Sequence, residues 1–230
     1  MNTDISIKSG FRRLLGISLF VQAITSLIGG AVLFEPYVSK ESIHTTMSNL
    51  ANHIPNIYGS VLLQIVTALV IIILGVAIYQ IAGHVNKTIA MIALCFYLFE
   101  AVLVAISQVF LFGLLKVSQL YLAGGDAGLV SLGNVLLSCR DITAKMAIIP
   151  FGLGALLFYS LLMKAKIIPK WLAIWGLATV PFVLIGVPLT IFGVVVPFAL
   201  FIPYVPFEFF TGIYILIKTP YSSSESGIRK

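Results

Sequence analysis

The chain has 230 residues, of which 60% are hydrophobic and only 10% charged, against about 45–50% and about 25% in ordinary soluble domains. So few charges cannot cover a water-exposed surface, which excludes a soluble globular fold, and the high hydrophobicity excludes disorder. A mean hydropathy of +1.09 places most of the chain in lipid, so the position of its charges matters more than their net +6.

A spanning helix needs about 20 mostly apolar residues to cross about 30 Å of hydrocarbon. Six segments qualify, at about 14–34, 57–81, 88–115, 142–163, 171–192 and 198–217. The expected fold is therefore an all-α, polytopic membrane bundle of six helices, with residues 1–230 forming one membrane domain. The first segment follows Arg12-Arg13 and has a small-residue stretch at Gly29-Gly30-Ala31. Further spans come after it, so it reads as a retained anchor and not a cleaved leader.

Between the second and third spans lies a short turn, 82–87. Its Asn86-Lys87-Thr88 matches a glycosylation sequon but falls on the side expected to be cytoplasmic. Between the third and fourth spans, residues 116–141 carry two apolar pieces around Gly124-Gly125-Asp126. They fit two short interfacial helices joined by a glycine turn, or an N-terminal extension of the fourth span. The fifth span contains Pro181 and Pro188, so a bend is expected there. Pro197, Pro203 and Pro206 interrupt the sixth. Proline removes a backbone donor, but neighbouring helices in a bundle can satisfy the freed carbonyls.

Lys and Arg collect on the cytoplasmic side of membrane proteins. With the N-terminus inside, ten basic residues lie inside: Lys8, Arg12, Arg13, Lys87, Lys164, Lys166, Lys170, Lys218, Arg229 and Lys230. Four lie outside: Lys40, Lys116, Arg140 and Lys145. Both termini are therefore expected in the cytoplasm, and the basic excess is a topology signal. Trp171 and Trp175, directly after the basic turn 164–170, suit an interface. Nucleic acid is not an expected partner, because no water-exposed basic face exists; membrane lipids are.

The stretch Ile149-Pro-Phe-Gly-Leu-Gly154, the basic turn ending in Ile168-Pro169-Lys170, then Trp171-Leu172 and Gly176 form a distinctive run. With Glu208-Phe-Phe-Thr-Gly212 and Lys218 in the last span and Glu100 in the third, it resembles the uncharacterised bacterial six-helix membrane family known as domain of unknown function 4386. The resemblance covers nearly the whole chain, though only 149–176 and 208–218 are distinctive. One turn before Glu100, where that family often has a basic residue, this chain has Tyr97. The resemblance implies a fold and a bacterial cytoplasmic-membrane location, and no reaction.

Two acidic residues, Glu100 and Glu208, fall deep in expected spans. A charge at the bilayer centre costs at least about 2.5–3.5 kcal/mol, so such residues face the bundle interior or a cavity. Polar and small residues recur at helical spacing around them: Ser18, Gln22, Ser26 and Gly30; Ser60, Gln64 and Ala68 beside Thr67; Glu100, Ser107 and Gln108; Tyr204, Glu208, Thr211, Gly212 and Ile215. These stripes read either as interhelical glue or as the wall of a polar cavity. In the second reading Glu100, Glu208, Gln22, Gln64, Gln108, Arg140 and Lys145 form an intramembrane polar site. Asp141 would join the charge network, and Glu100–Lys145 or Glu208–Arg140 would be ion pairs.

Cys95 and Cys139 are too few for a disulfide framework and are expected to be buried thiols. His44, His53 and His84 lack metal-site spacing and are expected to be solvated. No hydrolase, metalloprotease or phosphate-loop motif is present, so no cofactor or metal is expected. The leading expectation is a non-enzymatic protein that binds a lipid or small apolar molecule in the bundle centre. The alternatives are a small proton-coupled transporter using Glu100 and Glu208, and an intramembrane enzyme using them as acid and base.

Overall fold

The computed structural model describes residues 2–219, and within them the side chains of all but 2–9, 198 and 205. The basic residues Arg229 and Lys230 of the charge count lie outside the described residues, as does the side chain of Lys8. The described chain is all-α. Its helices are α1 (Asn2–Leu27), α2 (Ile43–Asn52), α3 (Ile54–Ala82), α4 (Lys87–Leu122), α5 (Ala127–Lys164), α6 (Lys170–Leu189) and α7 (Val205–Lys218). Among the described residues, five helical segments are long and apolar enough to cross a membrane: 10–37, α3, α4, α5 and 170–192.

Helix α1 does not stop at Leu27. It widens into a π-helical turn, Ile28–Val32, where Gly29 lets the chain approach α3. A Cβ on Gly29 would stand 3.2 Å from both Gln64 Cγ and Leu63 Cβ, and the Ser60 hydroxyl donates to Gly29 O at 2.6 Å.

Helices α4 and α5, at 36 and 38 residues, are about 54 and 57 Å long at 1.5 Å per residue. Both exceed the hydrocarbon by about 20 Å or more. Residues 116–141 therefore extend the two spans and are not separate interfacial helices. The turn between them uses Gly124 at φ +101°, a left-handed conformation that glycine adopts without strain. Asp126 caps α5 by accepting from Gly128 N and Leu129 N. Asn86, of the sequon, caps α4 by accepting from Ile89 N at 3.0 Å.

The connection after the first span also folds. Helix α2 lies under the α4–α5 extension, and Phe34, Met47, Leu50, Ile57, Leu111, Leu114, Leu115 and Val117 form a separate core there. Gly133 of α5 leaves the space that Met47 fills. The three histidines expected to be solvated are exposed, and two of them are also engaged. His44 Nδ1 bonds Tyr121 Oη at 2.9 Å, and His53 stacks on Tyr37 at 4.5 Å and bonds Asn49 O through Nδ1. Cys95, expected to be buried, is exposed on the bundle and Cys139 only half-buried. An apolar run bathed in lipid need not bury every side chain in protein.

The last third departs furthest from expectation. Helix α6 runs through Pro181 and Pro188 and ends at Leu189. Residues 193–204 are mostly irregular, and α7 begins only at Val205, not near 198. Pro197, Pro203 and Pro206 together remove the donors a continuous helix needs. The freed backbone finds partners in the bundle, with Trp175 Nε1 donating to Pro203 O at 3.0 Å. At 14 residues, α7 is about 21 Å long and packs on α1, where Gly16 and Gly212 meet.

In the bundle, α3 packs between α1 and α4, and α5 between α4 and α6. Helix α1 packs on α3 and α7 but has no comparable contact with α5 or α6. A cleft is therefore left between α1 and α5 at the end of the bundle that carries α2. At the opposite end, Tyr97, Phe158, Tyr159, Phe207 and Trp175 interlock edge-to-face and tilted, with centroids 4.7–6.3 Å apart.

Candidate functional site

The cleft encloses a cavity of about 300 Å³. Helix α1 supplies Gln22 and Ser26, α3 Gln64 and Thr67, and α4 Glu100, Ser107 and Gln108. Helix α5 supplies Arg140 and Phe151, and the last segment Tyr204 and Glu208. Ile71, Val104, Ala144, Ala147, Ile148 and Val183 complete an apolar wall. Six of the seven site residues expected from the sequence thus line one hollow, and Lys145 does not.

Glu100 lies 13 residues into α4, about 20 Å from its start, while Arg140 is 24 residues from the end of α5, about 36 Å. The cavity therefore runs from mid-bundle carboxyls to the α2 end, a span of about 16 Å.

The α1–α3 wall is stitched closed. Thr25 and Thr67 hydroxyls meet at 2.7 Å, and Gln64 Nε2 donates to Ser26 O at 3.3 Å. Part of the polar stripes is thus glue, as one reading expected. The rest is not. Gln22, Glu100, Gln108 and Arg140 are 5%, 6%, 3% and 9% exposed, and each has a buried polar atom without a partner: Gln22 Oε1, Glu100 Oε2, Gln108 Oε1 and Arg140 Nε. A buried polar group left unpaired costs about 1–3 kcal/mol, so four around one hollow is a concentration that folding alone does not explain.

The orientation of Gln108 follows from its neighbour. Ser107 donates its hydroxyl to Val104 O at 2.7 Å and so accepts from Gln108 Nε2 at 2.8 Å. That leaves the Gln108 amide oxygen unmatched.

At the α2 end Arg140 spans the cleft. Its guanidinium lies 4.0 Å over the Phe34 ring, bonds Asp141 at 2.9 Å and reaches Glu35 at 3.9 Å. The expected pairs Glu208–Arg140 and Glu100–Lys145 do not form among the described residues. Arg140 sits about three helical turns from the Glu100 level and pairs with Asp141 and Glu35 where it stands. Sequence reading missed Phe34 and Glu35, though Glu35-Pro36 at the end of a span was a signal that the chain turns there. At the deep end Tyr204 Oη donates to Glu208 Oε1 at 2.8 Å, and Tyr159 Oη, 3.3 Å away, donates to Tyr204. Phe151 meets Tyr204 edge-on at 5.6 Å. Tyr159 was also missed, since a tyrosine in an aromatic run carries no spacing signal.

No curated protein and no solved structure matches the chain. The match to a family is extensive: residues 14–219, from the first turns of α1's apolar run to the end of α7, align with the domain of unknown function DUF4386. The site therefore lies wholly within the matched region, and the chain belongs to the DUF4386 family.

Proposed function

We propose that this chain is a six-span protein of the bacterial cytoplasmic membrane, with both termini in the cytoplasm, that holds a lipid or small amphiphile in the α1–α5 cavity without catalysing a reaction on it. The observation that carries the reading is the set of four buried residues with unpartnered side-chain atoms around a single hollow. The lining refines the expected ligand. A wholly apolar molecule would leave those atoms unmatched, whereas an amphiphile places its polar end there and its tail against Ile71, Val104, Ile148 and Val183. The sixth crossing combines α7 with the irregular 193–204 segment, an arrangement tolerated at membrane depth where protein surrounds the backbone.

Native mass spectrometry of the chain released from neutral detergent tests the reading. A bound small molecule or lipid is expected, and it is lost when Ala144→Phe fills the cavity. A bare chain, or a mass retained by that variant, contradicts it. Topology is tested separately in a chain lacking Cys95 and Cys139. Asp126→Cys is expected to label from outside intact cells, and Lys164→Cys only after permeabilisation.

One observation favours a second reading, a proton-coupled carrier. The Tyr159–Tyr204–Glu208 hydrogen-bond chain links the deep end of the cavity to the aromatic core. If flux of any bound molecule is coupled to protons, Glu208→Gln uncouples it. Unchanged coupling in that variant removes this reading. No observation favours the intramembrane enzyme.

A further inference from the structure

The charges and orphaned atoms around the cavity bear on the chemistry of its occupant, given that the cavity binds a small amphiphile as proposed above. Four carboxyls surround it or its mouth: Glu100 and Glu208 in the wall, Glu35 and Asp141 at the α2 end. One guanidinium, Arg140, stands against them, and it is already covered by Phe34 and two of those carboxylates. Among the described residues no lysine lines the hollow. The unpartnered oxygens are all acceptors: Glu100 Oε2, Gln22 Oε1 and Gln108 Oε1. The Gln108 amide is fixed in that sense by the Ser107 hydroxyl. Among the fully buried, described lining atoms the unpartnered donor is Arg140 Nε, on the guanidinium at the far end. Phe151 and Tyr204 add aromatic faces beside the carboxyls, and ring faces attract cations.

We infer that the cavity selects a primary ammonium carried on a short apolar or aromatic body, its N–H donors shared between Glu100 and Gln22 and its body against the Phe151–Tyr204 wall. An ammonium presents donors and no acceptor, which complements a wall whose orphaned side-chain oxygens accept. A carboxylate, sulfonate or phosphate end would face the same oxygens and be repelled. A hydroxyl end would supply one donor and no charge.

The test uses the full chain in neutral maltoside micelles and three probes of one shape: phenethylammonium, phenethyl alcohol and phenylacetate, each followed by calorimetric titration. Phenethylammonium is expected to bind saturably, about tenfold or more tighter than the alcohol, with no binding of phenylacetate. Glu100→Gln is expected to abolish the preference of ammonium over alcohol. The comparison on the unaltered chain stands even if that variant fails to fold, and Gln22→Leu then provides the second arm, with weakened ammonium binding expected. The inference is overturned if the alcohol or the carboxylate binds as tightly as the ammonium. It is equally overturned if both variants keep the preference, or if no probe binds. Where no probe binds but native mass spectrometry still finds an occupant displaced by Ala144→Phe, the cavity reading survives and only the ammonium assignment fails. Where neither is found, both fall.

Discussion

The two ends of the bundle solve the same packing problem in opposite ways. At the end away from α2, aromatic rings close the interior: the Phe207 ring occupies the place a Cβ on Gly176 would take, and Tyr97 and Phe96 close on Gly154. At the α2 end, α1 and α5 stand apart and the space between them is lined by amides and carboxyls with unmatched atoms. Within lipid, apolar burial does not itself drive helices together; close packing and interhelical hydrogen bonds do. The aromatic end has the close packing. The α1–α3 seam has the hydrogen bonds. The α1–α5 cleft has neither across most of its length, which marks it as a place kept open.

That contrast can be broken by substitution, starting where the effect is greatest. Phe207→Ala removes a fully buried ring from the aromatic end and is expected to cost about 3–5 kcal/mol, read as a large fall in thermal midpoint in micelles. A small fall would mean that this end is loose as well. In the cleft the sign reverses. Glu100→Leu removes an unpaired group and is expected to stabilise the ligand-free chain by about 1–3 kcal/mol, while ligand binding is lost. Destabilisation of that size would show that the fold itself satisfies this group.

The seam lies between the two. Thr25→Val breaks the Thr25–Thr67 contact and is expected to cost about 0.6 and at most about 1.7 kcal/mol, visible as a small midpoint shift with ligand binding kept. The smallest effect is expected at the mouth. Arg140→Gln loses a partly exposed pair worth about 0–1 kcal/mol, so stability changes little. A thiol placed at Ala144 in a chain without Cys95 and Cys139 should nonetheless react faster from the α2 side once the Arg140–Phe34 bridge is gone. An unchanged rate would mean that Arg140 does not close the cleft.

Much of this was legible in the sequence, and for physical reasons. Helical periodicity put Gln22, Gln64, Glu100, Gln108 and Glu208 on inward faces, because a polar stripe in lipid has nowhere else to go. Lengths were less legible. Hydropathy marks where lipid ends and not where a helix ends, so the extensions of α4 and α5 beyond 115 and before 142 read as two short interfacial helices or as an extension of the fourth span alone. The prolines of the last third announced an interruption, but not that the chain would stay irregular from 193 to 204. Lys145 and Arg140 both looked like counter-ions for the deep carboxyls. Five residues separate them, which turns them to different sides of α5, and only Arg140 lines the cavity. Pairing across helices depends on relative depth, which one sequence does not encode.

The central claim is that the α1–α5 cleft is a built binding site and not a packing defect. A density map of the full chain in lipid nanodiscs tests it most directly. The account predicts non-protein density between Glu100, Gln108 and Phe151, within hydrogen-bonding distance of the Gln22 or Gln108 amide oxygen. A cleft closed by direct α1–α5 contact, with Glu100 hydrogen-bonded to a protein side chain and no density between the helices, would contradict it.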